Sequence, residues 1–594
     1  MKRVQISACA TAIWVLLCLA AGPLHAAVRI EQYHVHDFSF KAGTAGNPFD
    51  VDLRGDFTGP GGQRIAVPGF YDGDGTWIIR FSPPAVGTWT LRTVSPVSAL
   101  NGQDAEITAT PNTNRSIHGG LLVDPANRYH FKYEDGSRYF LMGYEVDWLA
   151  LADMKDPQRK VMHRLIDQIA ARGFNHVLVN IYAHDTSWSK GTQHEWDYGP
   201  PAMFVFGGTN ERPDHSQLNT DYFKIYDGMM RALQAKGIVA NIMIKVYNKM
   251  VNWPAPGSKD EERYFRYVTA RYQAFSNVTW DFAKEAYNEP DKALQSRLID
   301  LVRATDGYDR LTTAHDNDVV DWDADASTNL DFRTDQEHGY WMETLRFDRH
   351  FRQWPTINSE LYYERGVDSL PTYRIVHDWQ LQVRGAYEVY LSGGYFVYYY
   401  ANTAWDVVKP DPEAPGMAGF QILQRHLSAL PYWKMEPRPE LAIGGPCLAT
   451  PGQVYACYVT PTPPVPGAPP PTGGGAATAV ASSRANASAA AKAGAAPRAG
   501  AVTGPPAAAA PGGAGAASAT AAPPSQGPAR RIIGNRREIA LNLSALTGAA
   551  TLQWVNTWTG DRVDGKVDGP GVYQLFRPAT FGDAPALLIV KGVQ

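Results

Sequence analysis

The sequence contains little cysteine, with four residues in 594. Cys9 and Cys18 lie in an apolar N-terminal run, and only Cys447 and Cys457 remain, on either side of a Pro-Gly dipeptide. Such a turn predicts a hairpin with opposed sulfurs, which in an oxidising compartment favours a disulfide over metal ligation. No His/Cys cluster has the spacing of a zinc site, so we expect no metal and no cofactor.

A dominant charge is also missing. The formal net charge is −4 at pH 7, and no block rich in Lys and Arg occurs. This excludes the electrostatic pattern typical of nucleic-acid-binding proteins and of proteins held on anionic membranes. We therefore expect neither nucleic acid nor membrane as a partner, and we expect a monomer.

Long apolar runs are absent beyond the N-terminus, so the sequence predicts no membrane-spanning helix. The early run from Ala8 to Ala21 follows a basic start and precedes the small residues Ala26 and Ala27. This order predicts a cleaved secretory signal peptide over residues 1–26. Cys18 does not follow a small residue, which disfavours a lipid-anchor site. We expect a secreted or periplasmic protein.

Residues 28–117 contain short alternating strands separated by Gly, Pro and Asp turns. Examples are the apolar stretches 76–81 and 88–94. Strands with a turn about every ten residues predict an antiparallel β-sandwich.

Residues 118–435 alternate between strand-type and helix-type patterns, which is typical of parallel α/β structure. We predict eight strands, starting near residues 140, 176, 238, 278, 311, 330, 355 and 395. Helices are predicted over residues 157–172, 221–236, 260–275, 293–305, 342–354, 372–391 and 417–427, and the fifth helix is short. This count predicts a (β/α)8 TIM barrel with its active site at the C-terminal ends of the strands.

Residues 436–594 read as a small C-terminal β-sandwich domain. The stretch 461–530 consists almost entirely of Ala, Gly, Pro, Ser and Thr, which predicts disorder. It could link two modules. We favour an insertion between neighbouring strands of one β domain, because the cost of loop closure rises only logarithmically with length.

Two carboxylates follow predicted strands of the barrel. Glu289 lies in Asn-Glu-Pro after the fourth strand, and Glu360 follows the seventh. Hydrolysis of a glycosidic bond needs two such acids, one to protonate the leaving oxygen and one to attack or to activate water. A solvated Glu-Pro turn is the simple alternative for Glu289.

With these motifs the chain resembles the clan A glycoside hydrolases, which are retaining enzymes. The resemblance implies that Glu289 is the acid/base, that Glu360 is the nucleophile and that Asn288 contacts the 2-hydroxyl of the sugar. Residues 70–89 resemble the immunoglobulin-like modules found before many bacterial glycosidase barrels. The whole order resembles apiosidase-like hydrolases that end in a domain labelled collagen-binding. Only 71 residues separate the two glutamates, which is short for this clan.

Further polar and aromatic residues near predicted strand ends are candidates for binding a polysaccharide or oligosaccharide substrate. For Trp405 the expectation rests on the aromatic residue that clan A barrels often carry after strand 8. The candidates are Tyr144, Asp147, Trp148, Tyr182, His184, His315, His338, Tyr340 and Trp405. Glu337 is a rival acid, and Glu285 and Glu364 are further carboxylates near the pair.

Two other function classes remain open at this point. A carbohydrate-binding or adhesion protein on an inactive barrel would need only aromatic surfaces and β modules, but it has no need of paired acids. A polysaccharide lyase would need a base and a charge neutraliser such as Tyr, Lys or a metal. The paired glutamates favour a retaining glycosidase.

Overall fold

A computed structural model describes residues 28–184, 195–247, 249–316, 329–336, 338, 341–366, 376–410, 414–461 and 538–593. The predicted signal peptide, Glu337, Tyr340 and nearly all of the Ala/Pro/Gly-rich stretch lie outside these residues. In the described part of the chain, no helix is both long and apolar enough to cross a membrane.

The N-terminal domain is a sandwich of a five-stranded and a three-stranded sheet. Its strands are β1 (Val28–Glu31), β2 (His36–Lys41), β3 (Arg54–Thr58), β4 (Arg64–Pro68), β5 (Phe70–Gly73), β6 (Thr76–Phe81), β7 (Gly87–Val94) and β8 (Asp104–Thr110). The sheet orders are β1-β8-β7-β3-β4 and β2-β6-β5. Phe57 of β3 stacks on Phe81 of β6, with ring centroids 3.8 Å apart, so aromatic side chains join the two sheets. The predicted sandwich is confirmed, but it is not wholly antiparallel as predicted, because β1 pairs with β8 in parallel.

A short hairpin precedes the barrel and covers the N-terminal ends of its strands. It consists of β9 (Leu121–Val123) and β10 (Phe131–Tyr133). Phe131 packs against Phe332 and Tyr395, which lie where two barrel strands begin. One end of the barrel is therefore filled by side chains, and the opposite end is left for a site.

The central domain is the predicted TIM barrel. Its strands are β11 (Gly143–Glu145), β12 (His176–Asn180), β13 (Phe206–Thr209), β14 (Arg212–Leu218), β15 (Val239–Val246), β16 (Val278–Lys284), β17 (Thr312–Thr313), β18 (His315–Asp316), β19 (Arg333–Asp335), β20 (Thr356–Asn358) and β21 (Tyr395–Tyr399). β13 and β14 form a separate hairpin. The others form one parallel sheet in the order β17-β16-β15-β12-β11-β21-β20-β19-β18. Only Ala314 separates β17 from β18, so both edges of the sheet belong to the fifth strand, and eight strands nearly close a ring.

Eight α-helices are described, and they surround the barrel. They are α1 (Leu151–Lys155), α2 (Val161–Ala171), α3 (Thr220–Ala235), α4 (Lys259–Tyr272), α5 (Lys292–Thr305), α6 (Trp341–Phe351), α7 (Trp379–Leu391) and α8 (Gly416–Leu427). Every residue of β12, β15 and β16 is buried, as expected for parallel strands covered on both faces. The sequence did not predict α1 or the β13–β14 hairpin, both of which lie in connections.

The C-terminal domain consists of two sheets around a shared core. Its strands are β22 (Glu436–Pro437), β23 (Ala442–Ile443), β24 (Cys447–Thr450), β25 (Val454–Val459), β26 (Glu538–Asn542), β27 (Ala550–Asn556), β28 (Arg562–Val567), β29 (Val572–Phe576) and β30 (Ala586–Gly592). The sheet orders are β22-β24-β25-β30-β27-β28 and β23-β26-β29. A disulfide joins Cys447 and Cys457, which are paired residues of β24 and β25, as predicted.

The strands on either side of the Ala/Pro/Gly-rich stretch belong to this one domain, but they are not neighbours as predicted. β25 pairs with β24 and β30, whereas β26 pairs with β23 and β29 in the other sheet. Burial explains the difference. Tyr455 and Cys457 face the same core as Ile539 and Leu541 from opposite sides, so the two strands cover each other's apolar faces.

Candidate active site

Glu360 lies two residues beyond β20, at the C-terminal end of the barrel, and its side chain is 2% exposed. Four groups surround its carboxylate. Lys284 Nζ lies 2.6 Å and His315 Nε2 3.4 Å from Oε1. Gln336 Nε2 donates to Oε2 at 3.1 Å, and the Tyr363 hydroxyl also donates to Oε2. A buried carboxylate with these neighbours is held in one orientation.

Lys284 is the last residue of β16, and three buried carboxylates surround its ammonium group. Besides Glu360, Nζ contacts Glu145 Oε1 and, at 2.8 Å, Asp147 Oδ1. Asp147 also accepts from the hydroxyl of Tyr399, so β11, β16, β20 and β21 meet in one cluster.

These charges determine the ionisation of the cluster. Burial acts to raise the pKa of Glu360, but the charges of Lys284 and His315 and the hydrogen bond from Tyr363 together outweigh it and hold that pKa well below its usual value. For Glu145 burial dominates and the charge of Glu360 adds to it, so the pKa of Glu145 lies well above its usual value. Burial lowers the pKa of His315 to about 4. Near neutral pH, Glu360 is thus a carboxylate, while His315 is uncharged.

Glu285 is the first residue after β16, and it lies in the left-handed backbone region with φ 53°. Such a conformation costs free energy in a residue other than Gly, and it turns the chain sharply where the strand ends. Burial raises the pKa of Glu285, Lys249 opposes that shift and Glu360 adds to it. Asn288 Nδ2 donates to Glu285 Oε2 at 3.1 Å. Two strand-end carboxyls therefore have pKa values shifted in opposite directions.

Glu289, the predicted acid/base, lies four residues further along the chain. Its Oε1 accepts the backbone N–H of Asp291 at 3.0 Å, and Asp291 is the N-cap of α5. Gln295 Nε2 donates to the backbone carbonyl of Glu289 at 2.8 Å. These contacts place the Glu289 side chain against the start of a helix, where a carboxylate is favoured for structural reasons alone.

Several other predicted residues lie in or beside the cluster. Asp147 and His315 are members of it. Trp405 is 5% exposed, and its ring lies 5.4 Å from that of Tyr363 and 5.5 Å from that of Tyr399. Asn288 is exposed and contacts Glu285 rather than Glu360.

Four predicted residues are not brought to the cluster. Tyr144 is fully buried against Phe174 and Tyr398, between the barrel and its helices, because neighbouring residues of β11 alternate and Glu145 occupies the inner side. Tyr182 packs among aromatic rings of the second connection. His184 Nδ1 lies 3.4 Å from the side-chain amide of Asn210. Trp148 is buried in the core.

His338 donates from Nδ1 to the carbonyl of Leu361 at 3.0 Å and lies near His315. Tyr340 and Glu337 lie outside the described residues. Of the further carboxylates, Glu364 is buried away from solvent and accepts the N–H of Gly416 at the start of α8.

The sequence analysis missed Lys284, Glu145, Gln336, Tyr363 and Tyr399. A signal for Lys284 and Glu285 was present, because a strand that begins at Val278 and has ordinary length ends near residue 284. No comparable signal marks the other residues.

The comparisons with known proteins agree with the fold. A domain of unknown function, DUF5060, matches residues 29–96. The model of the apiosidase-like catalytic domain matches residues 125–436, more than half of the chain. The chain belongs to the apiosidase-like family. No protein of curated function matches the sequence.

Solved structures similar to this apiosidase-like protein share its fold. A "putative glycoside hydrolase" from Bacteroides vulgatus has a TM-score of 0.66 at 18% identity, with 95% of this chain and 100% of that chain covered. A glycoside hydrolase family 5 protein from Bacteroides vulgatus has a TM-score of 0.52 at 15% identity, with 80% and 95% covered. Family and fold together support glycosidase activity in general.

Proposed function

We propose that this protein is an exported, retaining glycoside hydrolase in which Glu360 is the nucleophile and Glu285 the acid/base. The observation that carries the proposal is the pair of strand-end carboxyls with opposed pKa shifts. A retaining mechanism needs one carboxylate that is ionised and one carboxyl that holds a proton. The surroundings of Glu360 favour its ionised form, and those of Glu285 favour its protonated form.

In the first step an oxygen of Glu360 forms a bond to the anomeric carbon while the bond from that carbon to the leaving oxygen breaks. Glu285 transfers its proton to the leaving oxygen. In the second step water attacks the anomeric carbon, Glu285 takes a proton from that water and the ester bond to Glu360 breaks. Two inversions at one carbon give a product with retained configuration.

Glu289 remains the alternative acid/base predicted from the sequence. The strand-end position of Glu285 and the effect of the Glu360 charge on it favour Glu285. The hydrogen bond from Asn288 gives that residue a second role, as a donor that orients Glu285.

The first testable prediction compares Glu360→Ala, Glu285→Ala and Glu289→Ala on aryl glycosides and polysaccharides while anomeric configuration is followed. Glu360→Ala should abolish turnover. Glu285→Ala should slow substrates with poor leaving groups by about 10²–10⁴-fold and activated aryl glycosides far less, because their departure needs little protonation. Azide should partly rescue Glu285→Ala.

Glu289→Ala serves as the matched control, and near-normal kinetics are expected. The reverse pattern, with Glu289→Ala impaired and Glu285→Ala active, would return the acid/base role to Glu289. An inverted product would contradict retention. Binding without turnover of any substrate would favour a carbohydrate-binding protein.

Export is inferred from two independent features. The N-terminal residues have the order of a signal peptide. The Cys447–Cys457 disulfide suits an oxidising compartment outside the cytosol.

A further inference from the structure

We propose that Lys284 is a positioning residue that keeps Glu360 ionised and fixes its orientation, and that it does not bind substrate. The role in catalysis rests on the proposed function, whereas the effect on the ionisation of Glu360 does not. Lys284 ends β16 and lies immediately before Glu285.

Burial and its ion pairs keep the Lys284 ammonium group from a sugar. Nζ donates hydrogen bonds to the carboxyl groups of Glu145 and Asp147, and it lies 2.6 Å from Glu360 Oε1. The Lys284 side chain is 1% exposed. A substrate hydroxyl could contact it only by displacing one of these partners.

Burial makes this contact decisive for Glu360. A buried carboxylate without a counter-ion takes up a proton, because desolvation penalises the charged form. The other neighbours of Glu360 are hydroxyl, amide and imidazole groups, and His315 is uncharged at neutral pH. Among the described residues, Lys284 is the side chain within 4 Å of Glu360 that carries a full positive charge at neutral pH.

The remaining titratable groups around the pair do not replace that charge. Asp147 and Glu145 face Lys284 from β11, Tyr399 faces it from β21, and Glu285 follows it in the chain. All of these are acids. Among the described residues, loss of Lys284 therefore leaves His315 as the basic group within 4 Å of Glu360, while Lys249 acts on Glu285.

The test uses Lys284→Met combined with Asp147→Asn. One positive and one negative charge are removed together, so the net charge of the buried cluster is preserved and folding is favoured. The matched control is Lys245→Met with Glu261→Gln. That pair is also buried, with Nζ 2.6 Å from Oε1, but it joins β15 to α4.

The first measurement is kcat/KM against pH for the 4-nitrophenyl glycoside that the wild type hydrolyses fastest. In the Lys284 variant the acidic limb should move upward by at least about one pH unit, which lowers kcat/KM about ten-fold or more below it. The control should keep the limb of the wild type. A loss of activity at every pH with an unmoved limb would indicate a purely structural role and overturn the proposal.

The second measurement does not need activity. Urea unfolding between pH 5 and 8 measures how much Glu360→Gln changes the free energy of unfolding, once in the wild type and once in the Lys284 variant. In the wild type, Glu360→Gln should destabilise by the same amount throughout, because the ionised group contributes stability above its unfolded pKa. In the variant the effect should reverse, since a buried Glu360 without its counter-ion becomes more costly as the pH rises.

The two measurements separate the possible failures. If Glu360→Ala retains activity, the proposed function is wrong, and the unfolding experiment still decides the role of Lys284. If Glu360→Ala is inactive but Glu360→Gln has the same pH-independent effect in both backgrounds, only the inference about Lys284 is wrong.

Discussion

At the scale of single residues, Glu364 shows how a buried carboxyl away from the proposed chemistry affects the molecule. Its Oε1 accepts the N–H of Gly416 at 3.1 Å, and the Tyr398 hydroxyl donates to Oε2 at 2.9 Å. Burial raises the pKa of Glu364 to about 7, against an ordinary value of 4.5. The folded protein therefore binds this proton more tightly than the unfolded chain does.

The pH dependence of stability follows from that difference. Below about pH 4.5 Glu364 is protonated in both states. As the pH rises toward 7, Glu364 ionises in the unfolded chain but stays largely protonated in the folded protein. This difference lowers the free energy of unfolding by up to roughly 3 kcal/mol. We expect Glu364→Gln to gain stability relative to the wild type between pH 5 and 8 in urea unfolding. Exposed Glu440→Gln is the control, and parallel curves for Glu364→Gln and the wild type would contradict the assignment.

The sequence could predict that a carboxylate follows strand 4, but our preference for Glu285 over Glu289 depends on where the strand ends. Asn-Glu-Pro drew attention to Glu289, whereas the strand ends at Lys284. Contacts such as those of Lys284 with Glu145 and Asp147 join residues about 140 positions apart, and no local pattern encodes them. The proposed nucleophile was easier to find, since Glu360 follows its strand almost directly.

At the scale of elements, helices α3 and α4 connect the barrel to the N-terminal sandwich through a buried ionic network. Asp227 of α3 accepts two hydrogen bonds from Arg80 of the sandwich and two from Arg271 of α4. Burial acts to raise the pKa of Asp227, but the two guanidinium groups hold it at about 2. One carboxylate therefore pairs with cations from two domains, and Asp37 and Asp72 also pair with Arg80 and Arg271.

Replacing Asp227 with Asn should destabilise the junction strongly. Loss of one partner from a buried ionic group typically costs about 3–5 kcal/mol, because the remaining charges stay desolvated. Asp221→Asn in the same helix is the control. Asp221 is mostly exposed, and its pair with Lys224 should contribute no more than about 1 kcal/mol. Equal Tm values for the two variants would show that the network contributes little.

Helices were easier to predict than connections because their ends carry local signals. Asn219 caps α3 by accepting two backbone N–H groups, and Asp291 caps α5. Gly237 follows α3 with φ 69°, and a Cβ at this position would meet Ser116 O at 2.1 Å. The β13–β14 hairpin lacked such signals, since its strands are rich in Gly and polar residues.

At the scale of the whole molecule, the order of sandwich, barrel and β domain was predictable, because strand and helix periods differ clearly along the chain. The pairing of β25 and β26 was not. Because β25 and β26 lie on either side of the Ala/Pro/Gly-rich stretch, the sequence suggested that they pair. In the structure they lie in opposite sheets and share one core.

Replacement of residues 462–530 by a short Gly-Ser loop should leave activity unchanged and Tm unchanged or slightly higher, because a shorter loop costs less entropy to close. Extending the deletion through Asn542 removes β26 and is the destructive control. A marked fall in Tm for the first variant would show that the stretch contributes to the fold.

The Ala/Pro/Gly-rich stretch divides the sequence of the C-terminal domain, but the strands on either side of it form one packed core. The strands from β26 onward contact the preceding strands through sheet pairing and the shared core. Both cysteines of the disulfide precede the Ala/Pro/Gly-rich stretch. A protease that cut once within the stretch would yield two polypeptides that separate on a denaturing gel with or without reductant. In solution the two fragments would remain associated, because β30 of the second fragment pairs with β25 of the first.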